Sequence, residues 1–337
     1  MKYFSALSLV LFSLISCNKS DTTPTTPINT GTYIAGYEKS GSNNVAKYWK
    51  DGVAVNLTDG THDAMAMSVF ITDNDVYVCG YEHNGTNNVA KLWKNGVATN
   101  ISNSGTYSFA RSVYVSGSDV YVAFSETVGT KYMAKLWKNG TVTPLTAGIN
   151  ESVVNSVYVS GADVYVSGEE WNTTLNNWVA KFWKNGVATI FTGDISYSQS
   201  VFISGTDAYA TLNNYTGAMP VLKLWKNGTL TNLTSGTTMA EADGLFVLGS
   251  DVYVCGYETL GGIKVARVWK NSVASSLTSG VNESVATDVR ASGTDVYAVG
   301  YEKQAGIRVG KVWKNGVATS LTDGTNDANP MGIFIKN

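Results

Sequence analysis

The sequence predicts an all-β fold: a seven-bladed β-propeller, four antiparallel strands to a blade, closed by the C-terminal strand pairing with the N-terminal blade. Three observations lead there. The segment Val-Ala-Lys-Leu-Trp-Lys-Asn-Gly, from Val89 to Gly96, occurs seven times in close variants, centred on Trp49, Trp93, Trp137, Trp183, Trp225, Trp269 and Trp313. Asp75, Asp119, Asp163, Asp207, Asp251 and Asp295 each open an Asp-Val-Tyr-Val-like run, and each lies 44 residues after the last. The pattern is entered at a second strand, from Thr32, and left on an unpaired first strand, Met331 to Asn337. A fixed period of this size with four strands in it describes a propeller blade, and an incomplete unit at each end lets one complete the other, which removes an exposed sheet edge.

Each unit reads as four short strands. In the second unit these are Ser68 to Ile71, Asp75 to Glu82, Ala90 to Lys94 and Val97 to Ile101, rich in Val, Ile, Tyr, Phe, Trp and Thr and separated by turn residues. The turn between the first and second strands is mostly Ser-Gly-x-Asp, as at Ser116 to Asp119. The turn between the third and fourth is Asn-Gly, as at Asn95-Gly96, Asn139-Gly140 and Asn185-Gly186. Asn-Gly suits a two-residue hairpin because both central positions need positive φ. The strands are apolar on both faces, which fits sheets packed between sheets, with the recurrent tryptophan filling the widening gap between blades. A linear solenoid would need end units with polar outer faces, and the ends here resemble interior units.

The chain has 337 residues, 44% hydrophobic, and a net charge of -2. That is ample for a large core, and no basic stretch marks a nucleic-acid partner. Lys2 precedes an apolar run from Tyr3 to Ile15, too short for a permanent membrane span. It ends in Leu-Ile-Ser-Cys, Leu14 to Cys17. This resembles the lipobox of bacterial lipoproteins. The resemblance implies a signal peptide over 1–16, lipidation of Cys17 and an anchor in the bacterial cell envelope, with the outer membrane favoured. A Thr- and Pro-rich tether follows over 17–31, unable to form a core, and the propeller is expected over 32–337. Cys79 and Cys255 hold the same position four repeats apart, beyond the ~7 Å Cα reach of a disulfide, so both are expected buried and reduced.

The repeat also resembles the extracellular HAF repeats, whose box runs close to Ala-Phe-Leu-Trp-x-Asn-Gly beside a Val-Val-Gly-Tyr-like strand. Ala90 to Gly96 and Val78 to Tyr81 match in outline, although Val-Ala-Lys stands where the class has His-Ala-Phe, and Leu-Thr-Asp-Gly-Thr replaces its glycine-rich box. The resemblance implies export and fold, with no shared chemistry.

Comparing the seven copies separates a uniform face from a variable one. The first-to-second and third-to-fourth turns repeat, whereas the second-to-third and blade-to-blade loops differ freely on the opposite face, as a recognition surface on a fixed scaffold would. Trp171 and Trp178 sit in the longest loop, Tyr132 and Tyr215 in equivalent loops, and Tyr107, Phe109 and Tyr197 in blade-to-blade loops. Aromatic rings beside Asn and Thr suit sugar rings or extended peptides, or else they pack onto their own loops. The residue expected just before each first strand, at the channel mouth, reads Met67, Arg111, Asn155, Gln199, Asp243, Thr287 and Met331. Arg111, Asn155, Gln199 and Asp243, on adjacent blades, are the candidate polar pocket.

Charges repeated in nearly every blade are expected to be scaffold: Glu38, Glu82, Glu126, Glu170, Glu258 and Glu302 as cross-strand partners of the third-strand Lys and Arg residues, and the six strand-opening aspartates as residues bonding local backbone. No nucleophile elbow, phosphate loop, His cluster or calcium loop occurs, so no cofactor and no metal is expected. The functional expectation is a lipid-anchored, monomeric binding module, not an enzyme, for a glycan or protein ligand. The alternatives are a polysaccharide-active glycosidase or lyase, with Asp243 and Glu241 as acid and base, and a scaffold that binds no ligand.

Overall fold

The computed structural model describes residues 29–337; the expected signal peptide, Cys17 and nearly all of the expected tether lie outside the described residues. Within them are 28 strands arranged as seven four-stranded antiparallel sheets, the blades of a propeller. Blade 1 holds β1 (Gly31–Ser40), β2 (Asn43–Lys50) and β3 (Val53–Asn56), and blade 2 holds β4 (Ala64–Ile71), β5 (Val76–His83), β6 (Asn88–Lys94) and β7 (Val97–Asn100). Blades 3 to 7 repeat this order, with inner strands β8 (Ser108–Ser116), β12 (Ser152–Ser160), β16 (Ile195–Ser204), β20 (Ala240–Leu248) and β24 (Ser284–Ser292). The last strand, β28 (Ala328–Lys336), pairs with β1 as the inner strand of blade 1, so the ring closes as the repeat pattern predicts.

The cores lie between blades. Trp93 of blade 2 is 1% exposed and packs against Tyr33, Ala35 and Ala46 of blade 1, and Trp313 of blade 7 packs in the same way on Tyr253, Cys255 and Ala266 of blade 6. Large wedges are needed because neighbouring sheets diverge outward from the axis. Nearer the axis the contacts are Ala64, Ala66 and their equivalents, small enough for the inner strands to approach. Cys79 and Cys255 are buried free thiols.

The two uniform turns are joined to one another. Asn95 accepts the Val76 N–H at 2.8 Å and donates to the Asp75 carboxylate at 2.7 Å, while Lys94 and the Tyr77 hydroxyl reach the other Asp75 oxygen. Blades 3 to 7 repeat the Asn–Asp bond. The aspartates thus bind the facing turn, not their own backbone as expected from sequence, because the hairpin brings the Asn side chain directly opposite. Blade 1 has Gly31 in place of the aspartate, and there Asp51 replaces the asparagine and accepts the Thr32 N–H itself. The glutamates form the expected cross-strand pairs, for example Glu126–Lys135 and Glu258–Arg267, largely shielded from solvent.

The inner strands differ most from expectation. They start about four residues earlier than the sequence suggests, and Met67, Arg111, Asn155, Asp243 and Thr287 sit inside them as the extra residue of a β-bulge, with Gln199 in a two-residue irregularity of β16 and Met331 skipped in the β28–β1 pairing. A bulge leaves one residue without a partner and re-aims it, here toward the axis. It also brings the Met65 carbonyl so near Gly80 that a Cβ would stand 1.9 Å from it, which requires the glycine of Val-Cys-Gly-Tyr.

Trp93→Ala should cost about 3–5 kcal/mol, the usual loss for truncating a large buried aromatic, read as a fall in urea midpoint. Trp93→Phe should cost less, because the Trp93 indole N–H is buried without an acceptor. Ser272 is the single departure from glycine at the second turn position and has φ of 68°. Ser272→Gly should therefore raise stability by up to about 1 kcal/mol, and an unchanged or lowered melting temperature would contradict that reading.

Candidate functional site

The variable loops and the bulged residues meet at one mouth of the central channel. Their convergence follows from the chain: each bulge turns one side chain inward, and the strand beside it contributes another. The neighbouring position on the second strand of each blade reads Tyr37, Tyr81, Ser125, Glu169, Asn213, Tyr257 and Tyr301. Reading this column across the copies would have found Glu169, which the repeated Gly-Tyr-Glu pattern hides.

All the candidates but Asp243, which lies near Glu241, separate into four groups. Tyr107, Phe109, Arg111 and Tyr132 of blade 3 come together: the Tyr132 ring centroid lies 6.2 Å from Tyr107 and 5.3 Å from Phe109, and the Arg111 guanidinium lies over Phe109 at 4.9 Å. With Tyr37, Tyr81, Met65, Met67, Met331, Asn88 and Asn329 they line a cavity of about 340 Å³ over blades 1 to 3. Tyr197 and Tyr215 meet edge-on at 5.8 Å and, with Gln199, Asn213 and Glu241, line a second cavity of about 550 Å³ over blades 5 and 6. Asn155 lies between them and donates to Glu169 at 3.0 Å and to the Ser198 carbonyl at 3.1 Å. Trp171 and Trp178 are cross-strand partners at 6.0 Å, both half-buried against each other and lining neither mouth cavity. Arg111, Asn155, Gln199 and Asp243 therefore do not form the single pocket expected from their adjacency.

Charge is divided across the mouth. Arg111 is open to the water of its cavity but ringed by protein, and loss of solvation holds its pKa below the ordinary guanidinium range. Burial pushes the Glu169 carboxyl up to about 7, against the opposing pull of Asn155 and Arg111. Burial and the neighbouring Glu241 push Asp243 up to about 8, with Lys264 opposing. Burial also raises Tyr215 to about 12, where its hydroxyl donates to Glu241 at 3.3 Å. Near neutral pH the mouth thus has one cationic side, over blade 3, and one side of partly protonated acids, over blades 4 to 6.

A further ring narrows the channel toward the uniform face. Phe334, Phe70, Tyr114, Tyr158, Phe202 and Phe246 follow one another at centroid separations of 4.7–5.1 Å, and Arg290 completes the circle over Phe246. They bound a cavity of about 360 Å³ with Ser68, Ser112, Ser156 and Ser200. Arg290 is bound to Asp288 at 2.8 Å, and Asp288 also accepts the Ile333 N–H of the closing strand. That charge pair supports the ring closure. His62 and His83, from different repeats, lie 6.2 Å apart at the outer loops. Among the described residues no group of three His, Cys, Asp or Glu side chains is placed to hold a metal.

No protein-family model and no characterised protein sequence matches the chain. Its fold is similar to solved propellers at low identity. The β-propeller domain of the Trilobed protease from Pyrococcus furiosus is 11% identical at TM-score 0.57, covering 89% of this chain and 95% of that one. That domain is described as having an open velcro topology, whereas β28 here closes the ring on β1. The Pyrococcus horikoshii acylaminoacyl peptidase is 11% identical at TM-score 0.53, over 87% of this chain and 53% of that one. TolB from Acinetobacter baumannii is 11% identical at TM-score 0.50, over 72% of this chain and 62% of that one. These likenesses establish the β-propeller fold.

The raised carboxyls set a pH dependence. The fold favours neutral Glu169 and Asp243, so their contribution to stability is complete below the ordinary carboxylate range and is lost as pH rises through about 7 and about 8. The melting temperature should fall between pH 5 and 9. Glu169→Gln and Asp243→Asn should each flatten part of that decline, and a slope identical to wild type in both would show the carboxyls to be ordinary.

Proposed function

We propose that this protein is a lipid-anchored binding module of the bacterial cell envelope that takes a glycan or protein ligand at the channel mouth on its variable-loop face. The observation that carries the reading is the cavity of about 340 Å³ in which Tyr37, Tyr81, Tyr107, Phe109 and Tyr132 surround Arg111. Binding sites combine apolar and aromatic walls with a few fixed polar groups in clefts of this size. The repeated glutamates do not contribute, because each is paired within its own blade.

The lipobox-like Leu14 to Cys17 supports the anchor, and the position of the first strand favours one orientation. β1 begins at Gly31 beside the Asp51 turn, on the uniform face. A tether of about 14 residues, up to roughly 45 Å when extended, would hold that face toward the membrane and turn the mouth away from it. The protein acts as a monomer with no cofactor.

A second reading rests on Glu169 and Asp243, two carboxyls poised near neutrality at the same mouth, as general acid–base chemistry on a polysaccharide would need. The two readings separate in one experiment. Residues 18–337 are screened on a glycan array and against an envelope extract, with polysaccharide turnover followed in parallel. Tyr132→Ala, which removes the ring between Tyr107 and Phe109, should weaken capture at least tenfold in a folded protein, since an aromatic anchor of this kind is worth about 2 kcal/mol or more. Turnover abolished by Glu169→Gln would favour the enzyme. Neither capture nor turnover would leave a scaffold.

A further inference from the structure

The cavity over blades 1 to 3 contains one unmet electrostatic demand, on Arg111, among aromatic, thioether and amide side chains. Arg111 faces its water with no carboxylate within ion-pair distance and no hydrogen-bond acceptor among the described residues, unlike Arg267, Arg290 and Arg308, each of which is paired. The acidic group acting on it most strongly is Glu169, which is close to half-protonated at neutral pH and engaged by Asn155. A cation that faces a recess with no protein acceptor suits an anionic group.

The remaining lining selects between ligands that could supply that anion. Met65 and Met67 of blade 2 and Met331 of blade 1, which holds the same repeat position as Met67, line the cavity together with Phe109. Thioethers are soft, adaptable and poor hydrogen-bond partners. Sugar hydroxyls laid against them would lose their bonds to water without replacement, whereas a hydrocarbon or aromatic side chain would lose nothing. The four tyrosines supply flat area, and burial raises Tyr37, Tyr81 and Tyr132 above the ordinary phenol range, so those three remain protonated.

We infer that this cavity binds the C-terminal residue of a protein or peptide, its α-carboxylate on Arg111 and an apolar side chain among Met65, Met67 and Met331. This deepens the binding-module reading and rests on it. Charge and apolar body lie close together on such a residue, so one small group meets both features of the lining. The bulge that turns Arg111 inward and the closing strand that supplies Met331 are both needed to build the site.

The test uses the full described chain with methyl-labelled methionine, read by NMR during titration with N-acetylphenylalanine, its C-terminal amide and methyl glucuronide. N-acetylphenylalanine should shift the Met65, Met67 and Met331 methyls and bind about tenfold more tightly than the amide, the ratio expected for one charge-assisted pair. Arg111→Gln should abolish that acid-over-amide preference and Arg111→Lys should retain part of it, with unchanged melting curves excluding misfolding. Equal affinity for acid and amide, or a preference that survives Arg111→Gln, would overturn the assignment. Shifts produced by the glucuronide and not by the amino acid would overturn the ligand class while leaving the mouth a binding site. Silence from all three probes would remove the C-terminal ligand; the binding-module reading would then stand or fall on the Tyr132→Ala capture screen alone.

Discussion

Every blade is a thin sheet with two apolar faces, and neither face can be buried except by another blade. That constraint requires the sheets to stack in a circle, and in a circle they diverge from the axis. The outer part of each gap then needs a large side chain and the inner part needs small ones. Trp93 against Tyr33, and Trp313 against Tyr253, fill the wide end, while Ala64, Ala66, Ala110 and Ala242 admit close approach at the narrow end. A circle also has to close, and here the closing contact is non-covalent. β28 supplies the inner strand of blade 1, and Asp288 of blade 7 reaches across to the Ile333 N–H to hold it.

The same constraint explains why the polar repeats are scaffold. The turn face carries the Asn–Asp–Lys–Tyr cluster in blades 2 to 7, which links the first and third hairpin turns of each sheet and holds its four strands in register. Its charges are largely exposed and add little energy; the gain is that two turns are fixed relative to each other. Buried serines do a comparable task between blades. Ser108, Ser152 and Ser284 each accept an N–H from the third strand of the preceding blade.

Function is left to the positions that the repeat does not constrain. The bulged residue of each inner strand is left out of the strand pairing and turns toward the channel, so Arg111, Asn155, Gln199 and Asp243 can differ without changing the pairing of the blade. Low dielectric and the enclosing ring then alter their chemistry. Burial raises Glu169 and Asp243 so that both are partly protonated near neutral pH, and Arg111 remains charged without a carboxylate to neutralise it. The asymmetry of the mouth, cationic over blade 3 and acidic over blades 4 to 6, is the product of a few substitutions in one ring of positions.

The seven copies of the Trp box, the 44-residue period and the incomplete end units determined blade number, strand order and closure, because each blade must satisfy the same packing and turn geometry and so repeats the same residues. The division into a uniform and a variable face was legible for the same reason. The tertiary structure alone decided where the bulges fall, since a bulge is a property of two paired strands and leaves the pattern of one strand unchanged. It therefore moved Arg111 and Asp243 from the strand entrance into the channel wall. It also separated residues that are neighbours by count, setting Arg111 with Asn329 from the far end of the chain and Gln199 with Glu241 in another cavity. Glu169 escaped notice because its significance depends on burial, and burial at the axis is decided by all seven blades together.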